Sequence, residues 1–377
     1  MAQKKGGGKL SDRMKSLLTL STLAGIPSSL ATIRKFVSAI DWREAQEEIA
    51  GELSRKVAII GMPNSGKSTL FNTLQGQYLS FVSPEAGATK EFVRGSFGPF
   101  ALIDTPGHLP EMQREAIDEA SAVLYMLDAT EGVRPRDVEV IQQLRDGEKP
   151  FVVALNKSDL LPGDVDEMAA HIAARLRLTD VTPISAQTGD NIAEELIPAI
   201  INTSPEAALI LGRLLPEYRR RAANKLVRTA SLVSLAAGLQ PIPLVDIPIL
   251  LSNQIRMTLR IAAVYGEPVT AQHLREILTT VAGGLVLRYL AEELAKAAPI
   301  GGDLVSGAIA AAGTYALGQV AIEYFENGKR LSRKQINDMF NRYYRRYREE
   351  HIADEASQGA APALPAAAEP VIAEPIE

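Results

Sequence analysis

The run Gly61-Met62-Pro63-Asn64-Ser65-Gly66-Lys67-Ser68 puts two glycines, a lysine and a hydroxyl at a spacing that suits phosphate binding. The glycines let the backbone turn tightly and aim its N–H groups at phosphate oxygens, and a helix starting at the lysine adds positive potential. Lys67 then reaches the outer phosphates, Ser68 can ligate Mg2+, and Thr69 extends the contact surface. Three shorter motifs follow in order. Asp104-Thr105-Pro106-Gly107 offers a carboxylate to hold Mg2+ through water and a Gly107 N–H to sense a terminal phosphate. Asn156-Lys157-Ser158-Asp159 offers the Asp159 carboxylate, which can accept two hydrogen bonds from guanine N1–H and the 2-amino group. Adenine has neither donor, so the carboxylate would be left unpaired, a penalty of ~1–3 kcal/mol. Ser185-Ala186-Gln187 offers the Ala186 N–H to guanine O6. Singly these are turn residues. In this order they imply a guanine nucleotide, GTP or GDP, bound with Mg2+.

Elements capable of positioning such motifs are legible around them. Apolar runs at Lys56–Ile60, Phe100–Asp104, Val123–Asp128, Phe151–Asn156 and Val181–Ser185 read as buried strands, and Phe92–Phe97 as an edge strand. Lys67–Leu74 and Asp164–Leu176 read as helices between them. This alternation predicts an α/β unit, residues 55–201, with a mostly parallel six-stranded sheet covered on both faces. Residues 28–54 carry Ile33, Phe36, Val37, Ile40 and Ile49 near helical spacing, which predicts an amphipathic helix. Residues 1–27 are read as a basic, disordered segment and not as a signal peptide, because Thr19, Ser21 and Thr22 break the apolar run.

After Ser204 the strand signals stop, and an all-α domain over 204–350 is expected. Ser204-Pro205 is a helix start, as are Asp246 with Pro248, and Thr270. Asp246 is open to two readings, a functional acid or a helix cap. Ser332 with Gln335 forms a capping box, and Leu331 with Ile336 a hydrophobic staple. Leu304–Ile322 has no charge and could span a bilayer, but it is mostly Ala and Gly. Its neighbour Ile277–Ala298 carries Arg288, Glu292, Glu293 and Lys296, and each charge near a bilayer centre costs roughly 2.5–3.5 kcal/mol. A compact helical domain with the Gly/Ala helix buried is expected. The last helix, Ser332–Glu350, is amphipathic, with Ile336, Phe340, Tyr343 and Tyr347 on one face, able to dock on the protein, and arginines on the others. That basic face, and the cluster Arg219, Arg220, Arg221, Lys225 and Arg228, fits anionic lipid, RNA or plain solvent. Residues 351–377 read as a disordered Ala/Pro acidic tail.

Residues 55–201 resemble the Era-like bacterial GTPases of the translation-factor class, on the four motifs above. That resemblance implies a Ras-like P-loop GTPase domain that slowly hydrolyses GTP to GDP and phosphate. It also places Thr89, within Gly87-Ala88-Thr89-Lys90-Glu91, at the switch threonine that closes over Mg2+. Asn64 stands where potassium-activated members of the branch coordinate K+, or it only shapes the loop. His108 stands where elongation factor Tu carries a histidine, able to orient the attacking water or to face solvent. Arg134 and Arg136 would be fingers for a partner or exposed helix-start residues. Residues 225–328, with Pro241 to Pro248 and Asn253-Gln254-Ile255-Arg256, resemble an uncharacterised helical domain family that occurs in YcjF-type inner-membrane proteins.

Composition narrows the remaining classes. The chain has 377 residues and no cysteine, which excludes disulfides, thiolate nucleophiles and Cys-ligated zinc. Its net charge is −5, and the stretch from Asp354 holds five acids and no cation, so the remainder sums to about zero. No global charge therefore points to nucleic acid. The expectation is a cytoplasmic regulatory GTPase whose nucleotide state controls how the helical domain meets the inner face of a membrane or a protein partner. A ribosome-assembly GTPase with an RNA partner and a self-assembling, dynamin-like homo-oligomer are the alternatives.

Overall fold

Strand-forming runs rich in Val, Ile and Leu, joined by amphipathic helices, can bury both faces of a sheet only if the sheet is mainly parallel. A computed structural model of the chain shows this arrangement and describes residues 42–78, 93–103, 117–238, 246–268, 302–328 and 330–358. Strands β1 (Val57–Gly61), β2 (Val93–Phe97), β3 (Phe100–Ile103), β4 (Ala122–Asp128), β5 (Phe151–Asn156) and β6 (Thr182–Ile184) form one sheet in the order β2-β3-β1-β4-β5-β6. All neighbours are parallel except β2 and β3. The expected edge strand is thus the antiparallel one.

Side-chain alternation divides the core. In β4, Leu124 and Met126 join one apolar cluster, whereas Val123, Tyr125 and Leu127 join the other. The second cluster is closed by helices α3 (Pro135–Asp146) and α4 (Val165–Leu176). Asp164 caps α4, its carboxylate accepting the N–H groups of Asp166 and Glu167. The first cluster runs past helix α2 (Lys67–Tyr78) into the helices that follow the sheet. These are α5 (Ile197–Thr203), α6 (Pro205–Leu214), α7 (Arg219–Gly238), α8 (Asp246–Val264), α9 (Gly302–Glu326) and α10 (Arg333–Gln358). Ser204 caps α6, its hydroxyl accepting the Ala207 N–H at 3.0 Å. The same oxygen lies 3.3 Å from the Ser121 carbonyl, which ties the first helix of the following region to the start of β4.

Helix α9 is the Gly/Ala helix, and it is buried, with Ala311, Ala312, Ala316, Val320 and Ala321 inaccessible. Small residues let α7 approach closely. A Cβ on Gly318 would sit 2.4 Å from Val227. The polar atoms of this interface satisfy each other: Ser234 meets Thr314 at 2.8 Å, and the Gln319 amide donates to Asn224 at 2.8 Å. Among the described residues, no helix is long and apolar enough to cross a membrane. In α10 the capping box forms as expected, with the Ser332 N–H donating to Gln335 and the Gln335 N–H to the Ser332 hydroxyl. Its buried stripe differs from the expected one. Ile336, Phe340 and Tyr344 are buried, and Tyr343 and Tyr347 flank them. At 3.6 residues per turn, steps of four and four drift by about 80° around the helix, so the buried line Ile336, Phe340, Tyr344 slants across α10 where it packs on α9 instead of following one straight face.

Within residues 28–54, where an amphipathic helix is expected, the described residues form helix α1 (Trp42–Leu53), with Ala45 and Ile49 its buried positions. It packs against α6 and α8. Arg260 of α8 holds both carboxylate oxygens of Glu52 through one guanidinium edge, Nε at 2.8 Å and Nη2 at 2.6 Å, and also meets Glu206 at 3.3 Å. Arg256 holds Glu48 at 2.5 Å. Burial pushes the Glu48 carboxyl above its ordinary range despite that arginine. Ile33, Phe36, Val37, Ile40, Thr270, the segment Ile277–Ala298 and residues 359–377 lie outside the described residues.

Candidate functional site

Ligands of open, mainly parallel sheets bind beyond the carboxyl ends of the strands. At that edge β1 ends in Gly61, β4 in Asp128, β5 in Asn156 and β6 just before Ser185, and pairing sets Asp128 opposite Asn156 and Asn156 opposite Ile184. The sequence motifs on these strand ends are therefore brought to one rim by the sheet register.

The turn from β1 to α2 is built as the glycine spacing suggests. Gly66 has φ of +89°, and a Cβ there would come 2.0 Å from Asn156 Nδ2. A Cβ on Gly61 would meet the Met126 carbonyl at 2.5 Å. Asn64 occupies the left-handed region at φ 66°, which asparagine tolerates better than most side chains, and it is exposed. Lys67 folds back over the turn, its Nζ donating to the Gly61 and Met62 carbonyls at 2.8 Å each. Ser68 and Thr69 are exposed in the first turn of α2, and Ser65 is buried. Ser68 thus presents an exposed hard oxygen, a donor chemistry that fits Mg2+.

Asn156 connects this turn to the loop after β6. Its Nδ2 donates to the Ser65 carbonyl at 2.8 Å, and its Oδ1 accepts the Ala186 N–H at 2.8 Å. That N–H, expected to face a base carbonyl, already has a protein partner. Thr73 of α2 adds a second tie, its hydroxyl donating to the Ala186 carbonyl at 2.7 Å. Ser185 is inaccessible and its hydroxyl accepts the Thr188 N–H, which holds Gln187 outward at the tip of the turn.

Asp159 is exposed in the short 3-10 turn Ser158–Leu160 that begins at Lys157, a residue with φ 68°. Lys157 Nζ reaches back to Asp128 at 2.5 Å, and Thr130 donates to the same carboxylate through its N–H and hydroxyl. Burial pushes the Asp128 carboxyl up, but the bonds from Lys157 and Thr130 outweigh it and leave it below the usual range. Asp128 and Thr73 were not singled out from sequence. A carboxylate closing an apolar strand at the carboxyl rim is the signal that marks Asp128.

Arg134 pairs with Glu131 and Arg136 with Glu139, so both are engaged locally. Asp137 caps α3 through the Arg134 N–H and accepts the buried Tyr125 hydroxyl at 2.7 Å. Burial, and then Asp137, hold that phenol well above its ordinary pKa. Thr89, Asp104, Gly107 and His108 lie outside the described residues. Among the described residues no group of His, Asp and Glu side chains is arranged to hold a metal ion.

Two separate parts of the chain match known families. Residues 56–157 match a family described as 50S ribosome-binding GTPase, and residues 206–349 match a domain of unknown function, DUF697. Over 175 residues, 40 % of this chain and 56 % of the relative, the sequence is 37 % identical to GTPase Era of Aquifex aeolicus. Over 164 residues, 40 % of this chain and 36 % of the relative, it is 38 % identical to GTPase Der of Natranaerobius thermophilus. The matched part thus spans about a third to a half of these curated relatives. A crystal structure of Era with MgGDPNP and nucleotides 1506–1542 of 16S ribosomal RNA shares 32 % identity over 47 % of this chain and 66 % of that chain, with a TM-score of 0.32.

Proposed function

We propose that this chain binds guanine nucleotide with Mg2+ and slowly hydrolyses GTP to GDP and phosphate, and that its nucleotide state controls how the helical region contacts a membrane surface or a protein partner. The observation that carries the reading is the Asn156 amide, which braces the phosphate-binding turn at Ser65 and the loop at Ala186 at once. Phosphate recognition and base recognition are thereby mechanically one unit.

In this reading Lys67 leaves the Gly61 and Met62 carbonyls for the β- and γ-phosphates, so no new rotamer-rich side chain must be recruited. Ser68 and Asp104 would hold a Mg2+ ion, joined by Thr89 in the GTP state, and the ion would supply screening of phosphate charge. The Gly107 N–H senses the γ-phosphate. Asp159 accepts from guanine N1–H and the 2-amino group, and the Lys157 stem, fixed by Asp128, forms a wall of the base site. The Ala186 N–H is shared between Asn156 and guanine O6. Asn64 seats K+ against the phosphates, and His108 orients the attacking water.

Asp159→Asn tests the base site directly. The amide complements a carbonyl where guanine carries its amino group, so preference should move from guanosine to xanthosine nucleotides in competitive titration. Unchanged GTP affinity with no gain for xanthosine would put the base elsewhere.

A second reading, an RNA-associated GTPase of ribosome assembly, is favoured by the description of the family matched over residues 56–157. Nucleotide-dependent co-sedimentation with ribosomal subunits would select it. The packing of α1 against α6 and α8 joins helices from both sides of the α/β unit and keeps a self-assembling reading testable by GTP-dependent light scattering.

A further inference from the structure

Helix α7 holds five cations and no acid. Arg219, Arg220 and Arg221 occupy its first turn, the end at which the helix dipole disfavours positive charge. Arg220 is neutralised by Glu323 and Glu326 of α9. Arg221, Lys225 and Arg228 have no acidic partner among the described residues, and their spacing aligns them on one stripe about 10.5 Å long. The stripe runs on into Leu232 and Val233, which are 54 % and 44 % exposed although both are large and apolar. Burial and the neighbouring Arg228 both press the Lys225 ammonium below its ordinary pKa, a strain that a nearby anion would relieve. Such a face fits an extended anion that also carries aliphatic groups.

Residues 359–377 have this chemistry. Glu369, Glu374 and Glu377 are interleaved with Val371, Ile372 and Ile376, without any Lys or Arg. Pro370 and Pro375 favour an extended chain of about 3.1 Å per residue, so 369–377 spans about 25 Å. The stripe from Arg221 to Val233 spans about 18 Å. The route is also short. Helix α7 runs antiparallel to α9, since Arg220 meets Glu323 whereas Ser234 meets Thr314. Helix α10 runs antiparallel to α9 as well, since Tyr343 meets Glu323 and Tyr347 packs at a tilt against Tyr315. Gln358 therefore emerges at the end of the bundle where Leu232 and Val233 are exposed. Residues 359–368 give about 31 Å of extended reach, and two helix spacings across α9 amount to about 16–20 Å.

We propose that residues 369–377 dock on the α7 stripe formed by Arg221, Lys225, Arg228, Leu232 and Val233 of the same chain, where they screen this face from other anions. A tether of this length gives an effective concentration in the millimolar range, so weak individual contacts are enough. Salt at 1 M shortens the Debye length to about 3 Å and should release the segment.

The chain has no cysteine, so Thr229→Cys with Ala373→Cys introduces two unique labelling sites. Spin labels there, in full-length protein diluted with unlabelled chain and free of nucleotide, should give one narrow, short distance distribution. It should broaden in 1 M NaCl and on combining Glu369→Gln, Glu374→Gln and Glu377→Gln. A broad distribution at low salt that ignores the three substitutions overturns the proposal. So does a short distance that vanishes on dilution, which would assign the segment to a second copy. The triple variant without labels supplies an independent readout. If the segment occupies the stripe nine-tenths of the time, removing its charges should tighten binding to phosphatidylglycerol vesicles about tenfold. Equal binding by variant and wild type, to these vesicles or to single-stranded RNA, would show that nothing screens the stripe. None of these measurements involves GTP, so they stand or fall apart from the nucleotide reading.

Discussion

Gly66 and Asn156 are packed so closely that a Cβ on residue 66 would lie 2.0 Å from the Asn156 side-chain nitrogen. That nitrogen cannot swing aside without breaking its bond to the Ser65 carbonyl, and the opposite end of the amide is held by Ala186. Gly66→Ala also forces a left-handed conformation on alanine, at roughly 1–2 kcal/mol. It should lower affinity for a fluorescent GDP analogue tenfold or more. Asn156→Ala leaves a buried carbonyl and a buried N–H unpaired, about 1–3 kcal/mol each way. Its melting temperature should drop by several degrees, and an unchanged melting curve would show that the brace is unimportant.

Lys67 and Asn64 separate binding from chemistry. Lys67→Ala should keep the fold and lose γ-phosphate discrimination, seen as equal affinity for GDP and a GTP analogue. Unassisted turnover in such enzymes is on the order of 10⁻⁴ per second. If Asn64 seats K+, hydrolysis should be faster in KCl than in NaCl at equal ionic strength, and Asn64→Ala should abolish the difference. His108→Ala should lower the rate and barely alter GTP affinity. Equal rates in the two salts with a silent His108→Ala would leave a switch that needs a partner for its chemistry.

Arg260 should matter far more to stability than an arginine nearby in sequence to its own partner. Its guanidinium is 14 % exposed and Glu52 12 %. Arg260→Met leaves that carboxylate buried without its partner, a loss of about 3–5 kcal/mol. Arg43→Met breaks a pair whose side chains are 88 % and 69 % exposed, which should cost under about 1 kcal/mol. Chemical denaturation of the two variants decides this, and equal losses would refute the clamp.

Lys149 gives a pH-dependent test. Burial pulls its ammonium down to about 8, while it donates to the Asp118 and Ala120 carbonyls at 2.8 and 2.6 Å. Because the folded pKa lies below the unfolded value of 10.5, the unfolded chain binds more protons between these limits. The Lys149 contribution to stability should therefore rise from pH 8 to about 10.5 and stay flat below 8. Denaturation of wild type against Lys149→Gln across that range isolates it. A difference that is constant or falls with pH would mean that the two carbonyl bonds outweigh burial.

Much of the α/β unit was legible because its signals are local. The run Phe151–Asn156 is a strand with the bounds expected, and Asp164 and Ser204 cap helices where their side chains predict. The errors lie where contact geometry decides. Tyr344 rather than Tyr343 and Tyr347 is fully buried in α10, because the crossing with α9 selects the stripe. The Ala186 N–H, read from sequence as a donor to a base, also meets Asn156 from thirty residues away, a tie that no local spacing signals.

The sequence by itself determined the strand–helix alternation, the phosphate-binding turn at Gly61–Ser68 and the acidic turn at Asp159. Each rests on local signals, apolar runs in the first case and glycine or acid placement within a few residues in the other two. Only the tertiary structure decided that Asn156 braces two loops and that Arg260 clamps Glu52 from 208 positions away. Those outcomes depend on which surfaces exclude water together, and burial is a property of the assembled fold that no local spacing encodes.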